Sequence, residues 1–342
     1  MFKQLTCPYC NSEKCTSFQR YETTQNGSRW LYKCDACHHT FSETKGSFLE
    51  GIRTPVSAII QVLKARSEGM GVNAACHVFD IAKNTLLLWE RRLSGVKETL
   101  MVYSMANTFI SQVIEGDELY TKINKNVPVE ACEGWTILLM ERASRFIWAL
   151  DCGKKDRTLF FYAIRILANV IARTGDVTLV TDGERRYGNI LFEICHEVIR
   201  DGRRGRPPKV LREGIKIRLK NKGKKAHKRG RKRLKYEAPH PEHPQTIQDI
   251  ADADVHANHA EAFNASIRRR NSAYRRKTNT YAKQKTDLQR TLDILWIVHN
   301  FIREHFTTKE VPAVALGIVE KGLSWTQVLQ FRKSAAAQIL TA

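Results

Sequence analysis

Two C-x-x-C pairs near the start of the chain constrain its fold more than any other feature of the sequence. Cys7 and Cys10 form the first pair, Cys34 and Cys37 form the second, and 23 residues lie between the pairs. Each pair offers two thiolates from one tight turn, and a hairpin between them closes a tetrahedral site for Zn²⁺. The alternative is four ordinary buried thiols. We interpret the four cysteines as ligands of one structural Zn²⁺.

The residues between the pairs fit a zinc ribbon, which we assign to residues 1–50. Asn26-Gly27 is a typical hairpin turn, and residues 30–32 form a strand that leads into the second pair. Cys15 has no partner at C-x-x-C spacing, so we exclude it as a ligand. The other cysteines are scattered, and we expect them to be small core residues: Cys76, Cys132, Cys152 and Cys195.

Nothing in the sequence indicates export or a membrane span. No run approaches the ~18 apolar residues of a spanning helix, and the first residues, MFKQLTCPYC, lack the apolar core of a secretory signal. We therefore expect a cytoplasmic protein with no membrane partner, in which clustered thiols bind metal rather than form disulfides. The length of 342 residues predicts about two domains of roughly 100–200 residues.

Residues 54–95 carry the pattern of a helix-turn-helix DNA-binding domain. A helix beginning at Thr54-Pro55 is followed by a glycine-rich break, a short helix over residues 73–79, a tight turn, and a third helix from residue 83. The last helix of such a motif presents its first side chains to base edges. A plain helical bundle is the alternative, but the neighbouring zinc ribbon favours DNA recognition. The candidate base-reading residues are Lys83, Asn84 and Thr85.

From about residue 107 the pattern changes to strands. The alternating run over residues 109–118 predicts a strand with Asp117 at or near its end, although Glu115 and Glu118 lie close enough to be mistaken for that acid. Two apolar runs, at residues 136–140 and 146–150, predict a hairpin.

A helix over residues 159–172 and a short apolar strand over residues 177–181 come next, and Asp182 ends that strand. Three strands, a helix and a strand, with acids at the ends of the first and fourth strands, is the order expected of a ribonuclease-H-like α/β domain. A single aspartate at a strand end is more often a turn residue, so it is the ordered set of acids that carries this prediction.

A later segment, residues 258–268, predicts a helix whose polar face could add a third acid. The polar residues on that face are Glu261, Asn264 and Arg268. Three carboxylates suit Mg²⁺, a hard cation that takes oxygen ligands, and a pair of such ions supports phosphoryl transfer. An amphipathic helix over residues 288–302 follows. We expect the histidines here, His256, His259 and His299, to be core or edge residues, with His259 a weak candidate to support Glu261.

Basic charge is concentrated in one segment. The chain has 56 lysines and arginines against 35 acidic residues, a net charge of +21, and residues 203–235 supply 17 basic residues and one acidic residue. Such a segment attracts DNA through counterion release. The alternatives are an ordered arm and a solvated loop; we favour disorder that becomes partly ordered on DNA. A second basic stretch offers further phosphate contacts through Arg269, Arg270, Arg275, Arg276 and Lys277, interleaved with Tyr274 and Tyr281.

Taken together, these motifs resemble one family. The chain is similar to DDE-type insertion-sequence transposases that join an N-terminal zinc ribbon and helix-turn-helix to a ribonuclease-H-like domain. The matching tracts are CPYC with CDAC, GVNAACHVFDIAKNTLLLWERR, TDGERRY and NHAEAFNASIRRRNSAYRRKTNTYAK. One departure is the stretch of 78 residues between Asp182 and Glu261, which contains the basic segment.

The resemblance implies a domain plan and a chemistry. The zinc ribbon (1–50) and helix-turn-helix domain (54–95) precede an α/β catalytic domain (107–306) with a basic insertion (203–236) and a C-terminal helical tail (307–342). The implied triad is Asp117, Asp182 and Glu261, with Asn264 and Arg268 as active-site neighbours. The implied activity is cleavage and strand transfer of DNA with Mg²⁺ or Mn²⁺. The implied DNA partners are the terminal repeats of the element and the target DNA, which a homo-oligomer of at least two chains binds. The implied location is the cytoplasm of a prokaryote, in association with the nucleoid.

Two other functions stay open on the sequence. A non-enzymatic DNA-binding protein derived from a transposase would keep the zinc ribbon and helix-turn-helix, but the presence of all three acids argues against it. A structure-selective nuclease of the same fold would cut DNA without rejoining strands, and the sequence separates this possibility poorly.

Overall fold

The computed structural model describes residues 6–124, 127–200, 205–220, 240–241, 255–275 and 280–332. The chain divides into two compact units. Unit 1 comprises Met1–Val102 and Leu323–Ala342, and unit 2 comprises Tyr103–Gly322.

Unit 1 begins with the predicted ribbon. Its antiparallel strands are β1 (Cys15–Thr23), β2 (Gly27–Cys34) and β3 (Thr40–Ser42), in that spatial order. The turn between β1 and β2 ends at Gly27, whose φ of 68° lies in the left-handed region that favours glycine. The predicted hairpin and the strand over residues 30–32 are therefore confirmed.

Helices follow the ribbon in the predicted order. They are α1 (Val56–Ser67), α2 (Val72–Phe79), α3 (Lys83–Ser94) and α4 (Val96–Ala106). The Asn26 side chain accepts a 2.9 Å hydrogen bond from the backbone N–H of Val56, so the ribbon's hairpin turn caps the start of α1. Helix α2 ends at Asp80, which has a left-handed φ of 48°. The three predicted helices are confirmed, whereas α4 was not predicted.

Unit 2 is built on a mixed sheet. In the described part of the chain its five longer strands are β4 (Val113–Tyr120), β5 (Trp135–Glu141), β6 (Ile147–Gly153), β7 (Val177–Asp182) and β10 (Ile215–Lys220). The spatial order is β10-β7-β4-β5-β6, with β5 antiparallel to its neighbours β4 and β6, and with β4, β7 and β10 mutually parallel. Two short strands, β8 (His196–Val198) and β9 (Lys209–Leu211), pair apart from this sheet, and β11 (His240–Pro241) extends it beyond β10.

Among the described residues, unit 2 also contains five helices. They are α5 (Arg157–Thr174), α6 (Arg185–Cys195), α7 (Asn258–Arg270), α8 (Lys285–Ile297) and α9 (Pro312–Ala315), with a 3₁₀ turn at Ser272–Tyr274 and a π turn at Val298–Ile302. Asp156 caps α5 by accepting from the Leu159 N–H, and Gly175 ends that helix at a φ of 79°. The predicted hairpin, the helix over 159–172, the strand over 177–181 and the helix over 258–268 are confirmed.

The prediction for the basic segment is wrong where the structure describes it. Ile215, Ile217 and Leu219 are buried in β10, which pairs with β7, so this stretch is part of the core sheet rather than disordered. Their period-two alternation with basic residues was the available signal, but the high charge of the segment obscured it. Residues 203–204 and 221–235 lie outside the described residues.

The C-terminal segment divides between the two units. Helix α9 belongs to unit 2, whereas α10 (Trp325–Gln330) contacts α1 within unit 1. Arg332 then donates hydrogen bonds of 2.9 Å to the carbonyl groups of Thr6 and Glu43, on the ribbon. Across the described ranges, every helix is too short or too polar to cross a membrane.

Candidate functional site

The four predicted zinc ligands meet in one cluster. Sγ atoms of Cys7 and Cys37 lie 3.5 Å apart, those of Cys10 and Cys34 lie 3.6 Å apart, and all four lie within 4.8 Å of one another. A tetrahedral ion with Zn–S bonds of about 2.3 Å would separate its sulfur ligands by about 3.8 Å. The cluster can therefore hold one Zn²⁺.

Both cysteine pairs use the same backbone turn. The Asn11 N–H donates to the Cys7 carbonyl and the His38 N–H donates to the Cys34 carbonyl, each at 2.9 Å, and the φ angles of Asn11 and His38 are 58° and 59°. Backbone N–H groups of Cys37 and Ala36 lower the pKa of Cys34 to about 6, whereas burial and the neighbouring thiols raise the pKa of Cys37 to about 12, so in the absence of metal Cys34 is the thiol that ionises first of these two. A low pKa favours the thiolate form that binds metal.

The remaining cysteines lie outside the cluster. Cys15 packs beside it, its thiol contacts the Ser12 carbonyl, and burial raises its pKa to about 11. Cys132, Cys152 and Cys195 are buried, which confirms them as small core residues, whereas Cys76 is only half-buried and is not one. The neighbouring His38 and His39 are exposed, and the cluster consists of the four cysteines.

A second cluster forms where β4 and β7 lie side by side. Gly116 and Thr181 are the last paired residues of these parallel strands, and Asp117 and Asp182 directly follow them. A Cβ atom on Gly116 would lie 2.9 Å from the Thr181 side chain, so glycine allows the close approach of the two strands. The two aspartates therefore share one end and one face of neighbouring strands.

Helix α7 brings the third acid to the same face. The pKa of Asp117 is raised to about 6, because burial and the charges of Glu118, Asp182 and Glu261 outweigh a hydrogen bond from the Glu118 N–H, which lowers it. Glu261 is exposed, and Asp182 is half-exposed. The three predicted acids are thus close enough to interact electrostatically, although they do not meet the 4.8 Å spacing of the thiol cluster.

Asn264 links α7 directly to Asp117. Its Nδ2 donates a 2.7 Å hydrogen bond to Asp117 Oδ2, while the Glu118 N–H donates a 2.8 Å bond to Asp117 Oδ1. Asn264 is 4 % exposed, and its Oδ1 is a buried oxygen without a hydrogen-bond partner among the described residues. Arg268 lies one turn further along α7 and is half-buried.

The other two acids of β4 are engaged elsewhere. Glu118 faces Lys155 at 3.3 Å, and burial raises its pKa despite that charge. Glu115 is fully buried, and its ligand atoms group with those of His256 and His259 within 4.8 Å. Burial raises the pKa of Glu115, but hydrogen bonds from His259 and Ala260 and the nearby charges outweigh it and hold the pKa below its usual range.

Most of the residues predicted to contact DNA are at least partly exposed. Lys83 and Asn84 are exposed and Thr85 is half-buried, all in the first turn of α3. Arg269 and Arg275 are exposed and Arg270 is half-buried; Arg276 and Lys277 lie outside the described residues. The two aromatic residues predicted among them differ, since Tyr274 is buried with its hydroxyl bonded to Thr136, whereas Tyr281 is partly exposed.

His299 was predicted correctly as a core or edge residue, whereas the hydrogen bonds of Glu115 to the start of α7 were not predicted. His299 is a core residue, with Nε2 2.8 Å from the Arg145 carbonyl and a pKa that burial lowers to about 3. The i, i+2 spacing of Glu115 and Asp117 placed both on one face of a strand, but no local pattern indicates which helix covers that face.

Comparison with known proteins gives no match. No protein-family model matches this chain, and no curated protein matches its sequence. The functional conclusion therefore depends on the fold and on the two clusters.

Proposed function

We propose that this protein is a DDE-type transposase, which binds the ends of its own mobile element and catalyses metal-dependent cleavage and strand transfer of DNA. The observation that carries the proposal is that Asp117 and Asp182 follow the last paired residues of two neighbouring parallel strands, and that α7, which carries Glu261, bonds to Asp117 through Asn264.

The strand order supports a ribonuclease-H-like domain. Three antiparallel strands, β4, β5 and β6, are followed by β7 and β10, which add in parallel on the other side of β4. The central strand carries Asp117, the next parallel strand ends in Asp182, and a helix after the last strand carries Glu261. This order of strands and acids agrees with the order expected of such a domain, and it supports the proposal.

The donor set fits Mg²⁺ or Mn²⁺. Asp117, Asp182 and Glu261 offer hard oxygen ligands, and the two hydrogen bonds to the Asp117 carboxylate come from neutral amides, which do not cancel its charge. When bound, such cations activate an attacking oxygen and stabilise the charge on the leaving oxygen. Asn264 holds the Asp117 carboxylate in place and presents a buried oxygen beside it.

In the proposed reaction, water attacks a phosphodiester at the end of the element, and the O3′–P bond breaks to leave a free 3′-hydroxyl. That hydroxyl then attacks a phosphodiester of the target DNA, joining one strand and releasing another 3′-hydroxyl. The exposed first turn of α3 and the zinc ribbon would supply DNA binding in unit 1, by a homo-oligomer of at least two chains.

The test uses the purified full chain and labelled DNA that carries the sequences flanking its own gene. With Mg²⁺ or Mn²⁺ we expect end cleavage and joined products, and both should disappear with EDTA. Cleavage without joining would favour a nuclease of the same fold, and binding without cleavage would favour a non-enzymatic DNA-binding protein. Either result would contradict the proposal.

A further inference from the structure

We infer that Glu115 is a positioning residue, which fixes the first turn of α7 on β4 and thereby sets Glu261 and Asn264 against Asp117. This inference rests on the proposed function. Glu115 would not contact the reacting groups, but it would determine the position of Glu261.

Glu115 serves as the N-terminal cap of α7. The helix begins at Asn258, and its own N-cap residue, Ala257, makes no side-chain capping bond. Instead, Glu115 Oε2 accepts hydrogen bonds of 3.0 Å from the backbone N–H groups of His259 and Ala260. A carboxylate that satisfies free N–H groups at a helix start is stabilising, because it also faces the positive end of the helix dipole.

The other oxygen of Glu115 also accepts hydrogen bonds. Oε1 accepts from Arg142 Nε at 2.8 Å and lies 2.7 Å from His259 Nδ1. Arg142 follows β5 and also donates to the His256 carbonyl just before α7. Four donors thus surround one fully buried carboxylate. These four donors, one of them the charged guanidinium of Arg142, match the roughly four lone-pair sites of a carboxylate, whereas the Asp117 carboxylate accepts only two hydrogen bonds from the described residues. This group of side chains therefore acts as a clamp rather than as a second metal site.

The clamp and the Asp117–Asn264 hydrogen bond hold the strand and the helix at two matched points. Glu115 and Asp117 are two residues apart, an advance of about 6.7 Å along a strand. Ala260 and Asn264 are four residues apart, an advance of about 6.0 Å along a helix. The two contacts therefore fix α7 in register alongside β4. Glu261 lies between the two contact points, so its position follows from both.

The experiment compares Mn²⁺ binding, followed by electron paramagnetic resonance, in the zinc-loaded full chain and two variants. Glu115→Gln removes the charge from the clamp and keeps its shape. Glu118→Gln is the matched control, because it changes a half-buried carboxylate on the opposite face of the same strand. We expect Glu115→Gln to weaken Mn²⁺ binding about tenfold, as outer partners of metal ligands commonly do, and Glu118→Gln to leave it nearly unchanged.

Two further readouts separate positioning from loss of fold. In hydrogen exchange, Glu115→Gln should lose protection at the first turn of α7 and keep it in β5 and β6. Raising the Mn²⁺ concentration should restore DNA cleavage to Glu115→Gln, because its three metal-binding acids remain. Since Glu115→Gln could still unfold unit 2, His259→Ala serves as a second variant. It removes one donor while keeping the carboxylate and both backbone bonds, and we expect a smaller loss in the same direction.

Failure of the positioning role and failure of the proposed function give different results. If wild type binds Mn²⁺ and both Glu115→Gln and His259→Ala bind it equally well, the positioning role is overturned while the proposed function stands. If wild type binds no Mn²⁺ beyond a variant lacking Asp117 and Glu261, the proposed function fails, and the positioning role is overturned with it.

Discussion

Asn264 on α7 donates a 2.7 Å hydrogen bond to Asp117 on β4, across 147 residues of sequence. Because the amide is neutral, it orients the carboxylate without cancelling its charge. The bond therefore fixes one oxygen of Asp117 and leaves the charge of that carboxylate available to a cation.

Replacing Asn264 with alanine should weaken the site without dismantling the fold. We expect a loss of about 1 kcal/mol in the free energy of unfolding, the typical value of one hydrogen bond. We also expect a decrease of about tenfold or more in metal-dependent DNA cleavage, as for other groups that orient metal ligands. Urea unfolding and cleavage rates measure the two effects, and unchanged cleavage would contradict an orienting role.

Zinc should be required for the ribbon. The purified protein should contain about one zinc ion per chain, and Cys34→Ser should lose that zinc and unfold the ribbon locally. Cys15→Ser is the matched control, because Cys15 packs beside the cluster without joining it, and it should keep its zinc. Metal analysis with circular dichroism checks both variants, and a zinc-free wild type with a folded ribbon would contradict the assignment.

The basic segment should separate into a structural part and a DNA-binding part. Deleting residues 203–235 removes β10, so we expect unit 2 to lose its fold. Deleting residues 221–235 alone removes nine basic residues and no acidic residue, so the slope of log K against log salt for DNA should become shallower. End preference should survive the smaller deletion if Lys83, Asn84 and Thr85 supply it. An unchanged salt slope would show that residues 221–235 do not contact DNA.

His299 should contribute a pH-dependent part of stability. Burial lowers its pKa in the folded protein to about 3, from a usual value of 6.5. The stabilising contribution of the neutral side chain is therefore complete above pH 6.5 and is lost as the pH falls towards 3. We expect it to decline by roughly 1.4 kcal/mol per pH unit in this window.

A glutamine variant isolates this contribution, because an amide can still donate to the Arg145 carbonyl that His299 contacts, but it does not titrate. Urea unfolding at pH 7 and at pH 4.5 should show a smaller pH dependence for His299→Gln than for wild type. The same pH dependence in both proteins would rule out this origin.

Local patterns predicted those elements whose signals are contained within a short stretch of chain. Helix α5 has apolar residues at helical spacing, a capping aspartate and a terminal glycine, so its position follows from its own residues. The hairpin of β5 and β6 consists of two apolar runs and a short turn in the same way. Both elements pack as their patterns indicate, because burial is the main driving force for each.

The elements that were missed depend on long-range partners. Strand β10 carries alternating apolar residues within a highly basic stretch, and only its pairing with β7 shows that the apolar face is buried. The role of Glu115 depends on donors 27, 144 and 145 residues away, namely Arg142, His259 and Ala260. No periodicity in the sequence contains that information, which arises only when α7 packs on β4.

The central claim is that Asp117, Asp182 and Glu261 form one metal-dependent catalytic site for DNA cleavage and joining. The most direct measurement compares three charge-removing variants, Asp117→Asn, Asp182→Asn and Glu261→Gln, with Glu118→Gln, on labelled element-end DNA in Mg²⁺. We expect each triad variant to abolish cleavage and joining while DNA binding by unit 1 persists, and Glu118→Gln to remain active. Cleavage and joining at wild-type rates by all three triad variants would contradict the account.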